Sequence, residues 1–173
     1  MRARRWLVMM AIAGAACGGS THEGNAAAQT ARAAMTTVGT TGAFDACTFL
    51  TRDEIIAALG SQDLGAAERR DGGTECRYIS DQQSLTVWTN GSLSAESFQE
   101  FRDVLKADQQ HLEAAPGIGD DAYFWSDRRD DRVYVRVGGR GFTLEIHQNA
   151  REPRVPARPA LLTLARSGAA KLR

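Results

Sequence analysis

The sequence predicts an α+β domain: an antiparallel sheet of about five to six strands in two helix-then-strands halves, with helices packed on one face. Three observations predict it. Short segments such as Ser84–Asn90 alternate side chains with period two, the signature of strands. Turn signals at Ser126–Asp131 and Gly138–Gly141 join three late strands as hairpins, and hairpins make antiparallel pairs. Segments with apolar residues at helical spacing fall before, between and after the strand runs.

The elements follow in order. Thr51 and Glu54 form a capping box for a helix from Arg52 to Leu59, buried through Ile55, Ile56 and Leu59 and closed by Gly60. Asp63–Glu68 is a weak first strand, and Arg70-Asp-Gly-Gly73 is a turn. Glu75–Ser80 is a strand with Cys76 and Tyr78 on one face. In the next, Leu85, Val87 and Thr89 oppose Ser84, Thr86 and Trp88. Ser94 caps a helix running to about Gln110, with Phe98, Phe101, Leu105 and Leu112 as one apolar seam. Ala122–Ser126, Arg132–Val137 and Gly141–Gln148 are the late strands. A last helix spans Pro159 to Lys171, with Leu161, Leu164, Ala165 and Leu172 facing inward.

The chain has 173 residues, 43% hydrophobic and 24% charged, enough for one domain with a core. Its formal net charge is zero. Setting aside Arg2, Arg4 and Arg5 leaves 18 basic against 21 acidic residues, and no concentrated positive surface for nucleic acid. Those arginines precede an uncharged run from Trp6 to Ala16, short for a membrane span but suited to an export signal. The run ends Gly14-Ala-Ala-Cys17, which resembles a bacterial lipobox, though Gly14 stands where a large aliphatic residue is usual. The resemblance implies cleavage before Cys17, a diacylglyceryl thioether on its sulfur and further acylation of the new amino terminus. Two or three acyl chains anchor stably where one does not. The expected organisation is a signal peptide over 1–16, a lipidated cysteine and flexible tether over 17–43, and one extracytoplasmic domain over 44–173.

Export also bears on the other two cysteines. Three cysteines leave one over, and a thioether at Cys17 accounts for it. Cys47 and Cys76 are then expected to form a disulfide, which persists outside the cytosol. Neither lies in a CxxC spacing or near a histidine in sequence, so a redox or metal pair is the weaker alternative.

Three stretches, Asp45-Ala-Cys-Thr-Phe-Leu-Thr51 with its helix to Gly60, Cys76-Arg-Tyr78, and Gly117-Ile-Gly-Asp-Asp-Ala122, occur in an order that resembles a family of small secreted lipoproteins of actinobacterial type. The likeness covers about Phe44 to Gln148, with Tyr78 where tryptophan is common. That family carries a domain of unknown function. The resemblance implies an envelope location and the Cys47–Cys76 bridge, and brings no catalytic residue with it.

Gly117-Ile-Gly-Asp-Asp-Ala122 also fits the spacing of a dinucleotide fingerprint, but no strand leads in and two aspartates would repel a pyrophosphate; it reads as a turn. Asp127, Asp130 and Asp131 alternate with Arg128, Arg129 and Arg132 in one hairpin tip, a self-neutralising loop without calcium-loop spacing. His22, His111 and His147 stand apart from one another, and no serine or cysteine nucleophile motif is present. The sequence thus assigns no catalytic residue, metal or cofactor. Trp88, Phe124 and Trp125 are the candidate binding surface: if the face carrying Trp88 is open they hold a partner protein or small apolar ligand, and if the last helix covers it they are core. The basic residues from Arg151 to Arg173, with Glu152 the lone acid, suit either anionic lipid or the exposed side of a terminal helix. The expectation is a membrane-anchored lipoprotein facing the periplasm or cell exterior and acting as a non-enzymatic binding module. The rivals are an envelope hydrolase with residues converging only in space, and a structural lipoprotein contacting membrane or wall through its basic tail.

Overall fold

The computed structural model describes residues 44–107, 111–149 and 156–173. The expected signal peptide, Cys17 and the tether lie outside them.

Asp45 caps a one-turn helix, α1 (Ala46–Phe49), by accepting from the Cys47 amide at 2.9 Å. The capping box forms as expected: Thr51 accepts from the Glu54 amide, Glu54 accepts from the Thr51 amide, and α2 (Arg52–Leu59) follows. Gly60 closes it at φ 66°. Then come β1 (Glu68–Arg70), β2 (Glu75–Ile79), β3 (Gln83–Asn90), α3 (Ala95–Ala107), β4 (Leu112–Ala114), β5 (Asp121–Ser126), β6 (Asp130–Val137), β7 (Arg140–Gln148) and α4 (Arg158–Lys171).

All pairings are antiparallel, and the strand order is β1-β2-β3-β7-β6-β5-β4. Two meanders, each preceded by helix, meet where the last strand of one pairs with the last strand of the other. The sheet has seven strands, more than the five to six expected. The added strand is β4, at one edge; at the other edge the expected first strand, Asp63–Glu68, is displaced. The first strand begins only at Glu68 and is wholly charged and exposed, so it has no apolar alternation to read. Leu112 is a residue of β4 paired with Trp125, not part of the helical seam of α3.

The main core lies between one sheet face and α1, α2 and α4. Leu85, Val87, Val133, Val135, Leu144 and Ile146 of the strands meet Phe49, Ile55, Leu161 and Leu164, all buried. Gly168 lets α4 approach: a Cβ there would sit 2.8 Å from Phe49 Cζ and 3.0 Å from Phe142 Cζ. The Cys47–Cys76 disulfide is formed and ties α1 to β2 across 29 positions. Beside it the buried Tyr78 hydroxyl donates to the Cys47 carbonyl at 3.2 Å. Burial, reinforced by the Asp45 carboxylate, holds the Tyr78 phenol above its usual pKa.

The helices do not all share one face. Phe98 and Leu105 of α3 pack with Leu93, Tyr123, Trp125 and Tyr134 on the opposite side of the sheet. The reason is local. β5 and β6 carry apolar or aromatic residues at both parities, so each face of that end needs a cover.

Candidate functional site

Strand parity separates the two faces of the sheet. Against the apolar face, β3 turns Ser84, Thr86 and Trp88 the other way, and β7 turns Thr143, Glu145 and His147. Register then aligns them into rows. One row reads Arg77, Thr86, Glu145, Arg132, Trp125 across β2, β3, β7, β6 and β5; the row beside it reads Ile79, Ser84, His147, Asp130. The apolar side chains of α3 pack on the β5–β6 end of this face. The β2–β3–β7 end is polar. Its floor of Ser84, Thr86, Thr143 and Glu145 is buried, Arg77, Trp88 and His147 are half-buried, and Ile79 is exposed.

Most of the charged groups are matched. Arg132 forms a close ion pair with Glu145 and lies 4.7 Å from the Trp125 ring centroid. Burial works against its charge, but the Glu145 carboxylate outweighs that, and its pKa lies above the ordinary arginine value. His147 Nδ1 meets Asp130 Oδ1 at 2.6 Å. Trp88 Nε1 donates to Glu75 at 2.9 Å, and Arg70 holds Glu68 at 2.8 Å. Arg77 differs. Its Nε is buried without a hydrogen-bond partner, and Nη2 reaches only Ser84 Oγ, at 3.5 Å.

Ser84, His147 and Asp130 are cross-strand neighbours and have the residue types of a hydrolytic triad. The arrangement stops short of one. Among the described residues Ser84 Oγ is met by Arg77 rather than by the imidazole, and Ser84 is buried. The backbone N–H groups along these strands serve the ladder, so they are not gathered into an oxyanion hole.

The structure disperses the three aromatics singled out in sequence. Phe124 is buried on the main-core face, with the Arg158 guanidinium 4.5 Å from its ring centroid. Trp125, next in the strand, is buried on the opposite face beneath Arg132. Trp88 shares the Trp125 face but lies on β3, with β7 and β6 between them. α4 covers the other face, so Trp88 is not beneath it.

No family model, curated protein or solved structure matches this chain. The likeness to small secreted lipoproteins therefore rests on its short stretches alone. Of these, Cys47 and Cys76 are bridged, and Gly117-Ile-Gly-Asp120 is a turn leading into β5, which begins with Asp121 and Ala122; Gly117 is at φ 78° and Gly119 at φ 61°. Asp120 in that turn accepts from the Gly138 amide at 2.6 Å, joining it to the β6–β7 hairpin.

The remaining sequence candidates resolve individually. Asp127 Oδ1 accepts from the amides of Arg129 and Asp130, at 2.7 and 2.8 Å, as a turn aspartate does. His111 is exposed, and His22 lies outside the described residues. No group of three or more His, Cys, Asp or Glu side chains is placed to hold a metal ion among the described residues. In the basic tail, Arg158 pairs with Glu113 and Lys171 with Glu54, both at 2.6 Å, so these two cations are engaged within the fold. Arg151 and Arg154 lie outside the described residues. Sequence reasoning missed Arg77 and Glu145 as site residues. The available signal was parity: in β3 and β7, Ser84, Thr86, Trp88, Thr143, Glu145 and His147 lie opposite the apolar set.

Proposed function

We propose that this chain is a bacterial envelope lipoprotein whose folded domain is a non-enzymatic binding module, and that it binds through the polar sheet face around Arg77, Thr86 and Trp88. One observation carries the reading. The central strands β3 and β7 present Ser84, Thr86, Thr143, Glu145 and His147 where a sheet meant only for packing would present apolar residues, and the apolar side of α3 packs on β5 and β6 instead. Charged neighbours such as Glu75 and Arg77 suit a ligand or partner with polar groups better than a small apolar one. The Cys47–Cys76 disulfide fits an oxidising compartment. Anchorage is read from Arg2–Arg5, the uncharged run and Cys17, by their likeness to a lipobox.

The test is site-specific photo-cross-linking in intact cells. A photoreactive residue at Ile79, exposed on the proposed face, gives a discrete envelope adduct, whereas one at Val104, exposed on α3, gives none. Equal labelling from both positions, or from neither, overturns the reading. Incorporation of a palmitate analogue into the wild-type chain but not into Cys17→Ala tests the anchor.

A further inference from the structure

Among the described residues the Nε of Arg77, Arg102 and Arg136 is buried without a hydrogen-bond partner, but Arg102 and Arg136 each also lie within ion-pair distance of an aspartate, whereas Arg77 reaches only Ser84 Oγ, at 3.5 Å. Two carboxylates lie close to Arg77 in the sheet, Glu75 two positions before it on β2 and Glu68 opposite it on β1. Each is turned to another donor: Glu75 accepts from Trp88 Nε1, and Glu68 from Arg70. No carboxylate reaches ion-pair distance of Arg77 among the described residues, and its Nε is buried without a partner. A buried donor left unpaired is costly, and a charged donor more so. The side chains beside it on β3 are hydroxyls, Ser84 and Thr86, which both donate and accept.

We propose that Arg77, with Ser84 and Thr86, forms an oxyanion subsite that takes the carboxylate or phosphate group of the ligand bound on this face. The guanidinium fork meets two oxygens at once, through Nε and one Nη, while a hydroxyl from β3 meets the third contact. Glu145 does not compete for this role, because Arg132 holds it. The subsite rests on the reading of this face as the binding surface, and it adds the chemical class of the group bound there.

The experiment follows arginine Nε–Hε signals by ¹⁵N–¹H NMR in the purified full chain. Inorganic phosphate and acetate are titrated in separate arms, with chloride at matched ionic strength as the baseline. The expected result is one saturable arginine shift in one arm or both, and the more tightly bound anion identifies whether phosphate or carboxylate is preferred. Arg77→Lys keeps the charge but loses the fork and weakens binding at least tenfold. Thr86→Val, close to isosteric, weakens it several-fold and guards against a folding defect in the first variant. Arg166→Gln, on the exposed side of α4, leaves it unchanged. Shifts that never saturate in either arm, or saturation unaltered in both site variants, overturn the subsite. If Ile79 still yields its adduct in that case, the face remains the binding surface and only the role of Arg77 is lost. Saturable binding at Arg77 without an Ile79 adduct supports the subsite and removes the partner.

Discussion

Lys171, in the last turn of α4, places its ammonium 2.6 Å from the carboxylate of Glu54, at the start of α2 and 117 positions earlier in the chain. Each residue also serves locally. Glu54 completes the capping box, and Lys171 donates to the Phe49 carbonyl at 2.9 Å. Ser167 adds a hydrogen bond to the same carboxylate at 2.5 Å. One acidic group thereby fastens both helices at a shared end.

That carboxylate sets an acid limit on stability. Burial alone would raise the Glu54 pKa, but the hydrogen bonds from Lys171, Ser167 and Thr51 outweigh it and lower the value from 4.5 to about 2. A depressed folded-state pKa stabilises above the unfolded value, and the contribution disappears as pH falls from about 4.5 through about 2. Partial solvent exposure reduces it to about 1 kcal/mol. Lys171→Met should lose at least that amount at pH 7, and the gap from wild type should narrow towards pH 2 to what the Phe49 carbonyl contact contributes. Urea unfolding at the two pH values checks this; a gap of equal size at both contradicts it.

The disulfide closes a loop of 29 positions. Chain-entropy reasoning gives it about 3.5 kcal/mol. The Cys47→Ala/Cys76→Ala pair should therefore unfold at distinctly lower denaturant than the oxidised protein. Reduction of the wild type should reproduce that shift, and equilibrium unfolding with and without reductant measures it.

Glu145 and Arg132 are both mostly buried, with side chains 11% and 18% exposed. Removing Glu145 leaves Arg132 only the longer contact with Asp130, at 3.9 Å, so the loss is up to about 3 kcal/mol. Glu145→Gln should show that loss. Arg132→Met combined with Glu145→Leu should recover most of it, since an apolar pair strands nothing. A double-mutant cycle in urea separates the two, and a single-variant loss below about 0.5 kcal/mol would mean that water already screens the pair.

Gly119 is at φ 61°, and a Cβ there would overlap the Arg136 carbonyl oxygen, which is backbone and cannot swing aside. Gly119→Ala should cost about 2 kcal/mol or more, through the left-handed conformation and the clash together. Gly117→Ala has the same sign of φ but open space around it, so it should cost less. Comparing the thermal midpoints of the two variants isolates the steric part.

The sequence was most legible where a local rule has one solution. Thr51, Glu54 and Gly60 bounded α2 correctly because caps act within a few residues, and Leu161, Leu164 and Ala165 marked the buried side of α4 because one stripe faces one core. The Cys47–Cys76 bridge followed from counting sulfurs. The position of α3 was hidden because Tyr123, Trp125 and Tyr134 show that a second face needs covering only once their strands are paired. Edge strand β4 escaped notice, and β1 was expected at Asp63–Glu68 rather than Glu68–Arg70, because three-residue segments carry no period. The polar face was half visible: Trp88 stood out as an aromatic, but the neighbourhood of Arg77, Thr86 and Glu145 depends on a register between strands far apart in the chain. Phe124 and Trp125 looked like one patch in sequence, yet adjacent strand residues point to opposite sides.

The pairing of β3 with β7 has a consequence for how the chain assembles. Each meander is built from hairpins whose partners are near in sequence, but this seam joins residues from 51 positions apart, Asn90 and Gly141, to 65 apart, Gln83 and Gln148. Closing so long a loop costs entropy that local hairpins avoid, so the kinetic barrier falls at the middle of the sheet, not at its rims. The two halves can each zip early, and the molecule becomes cooperative only when they dock.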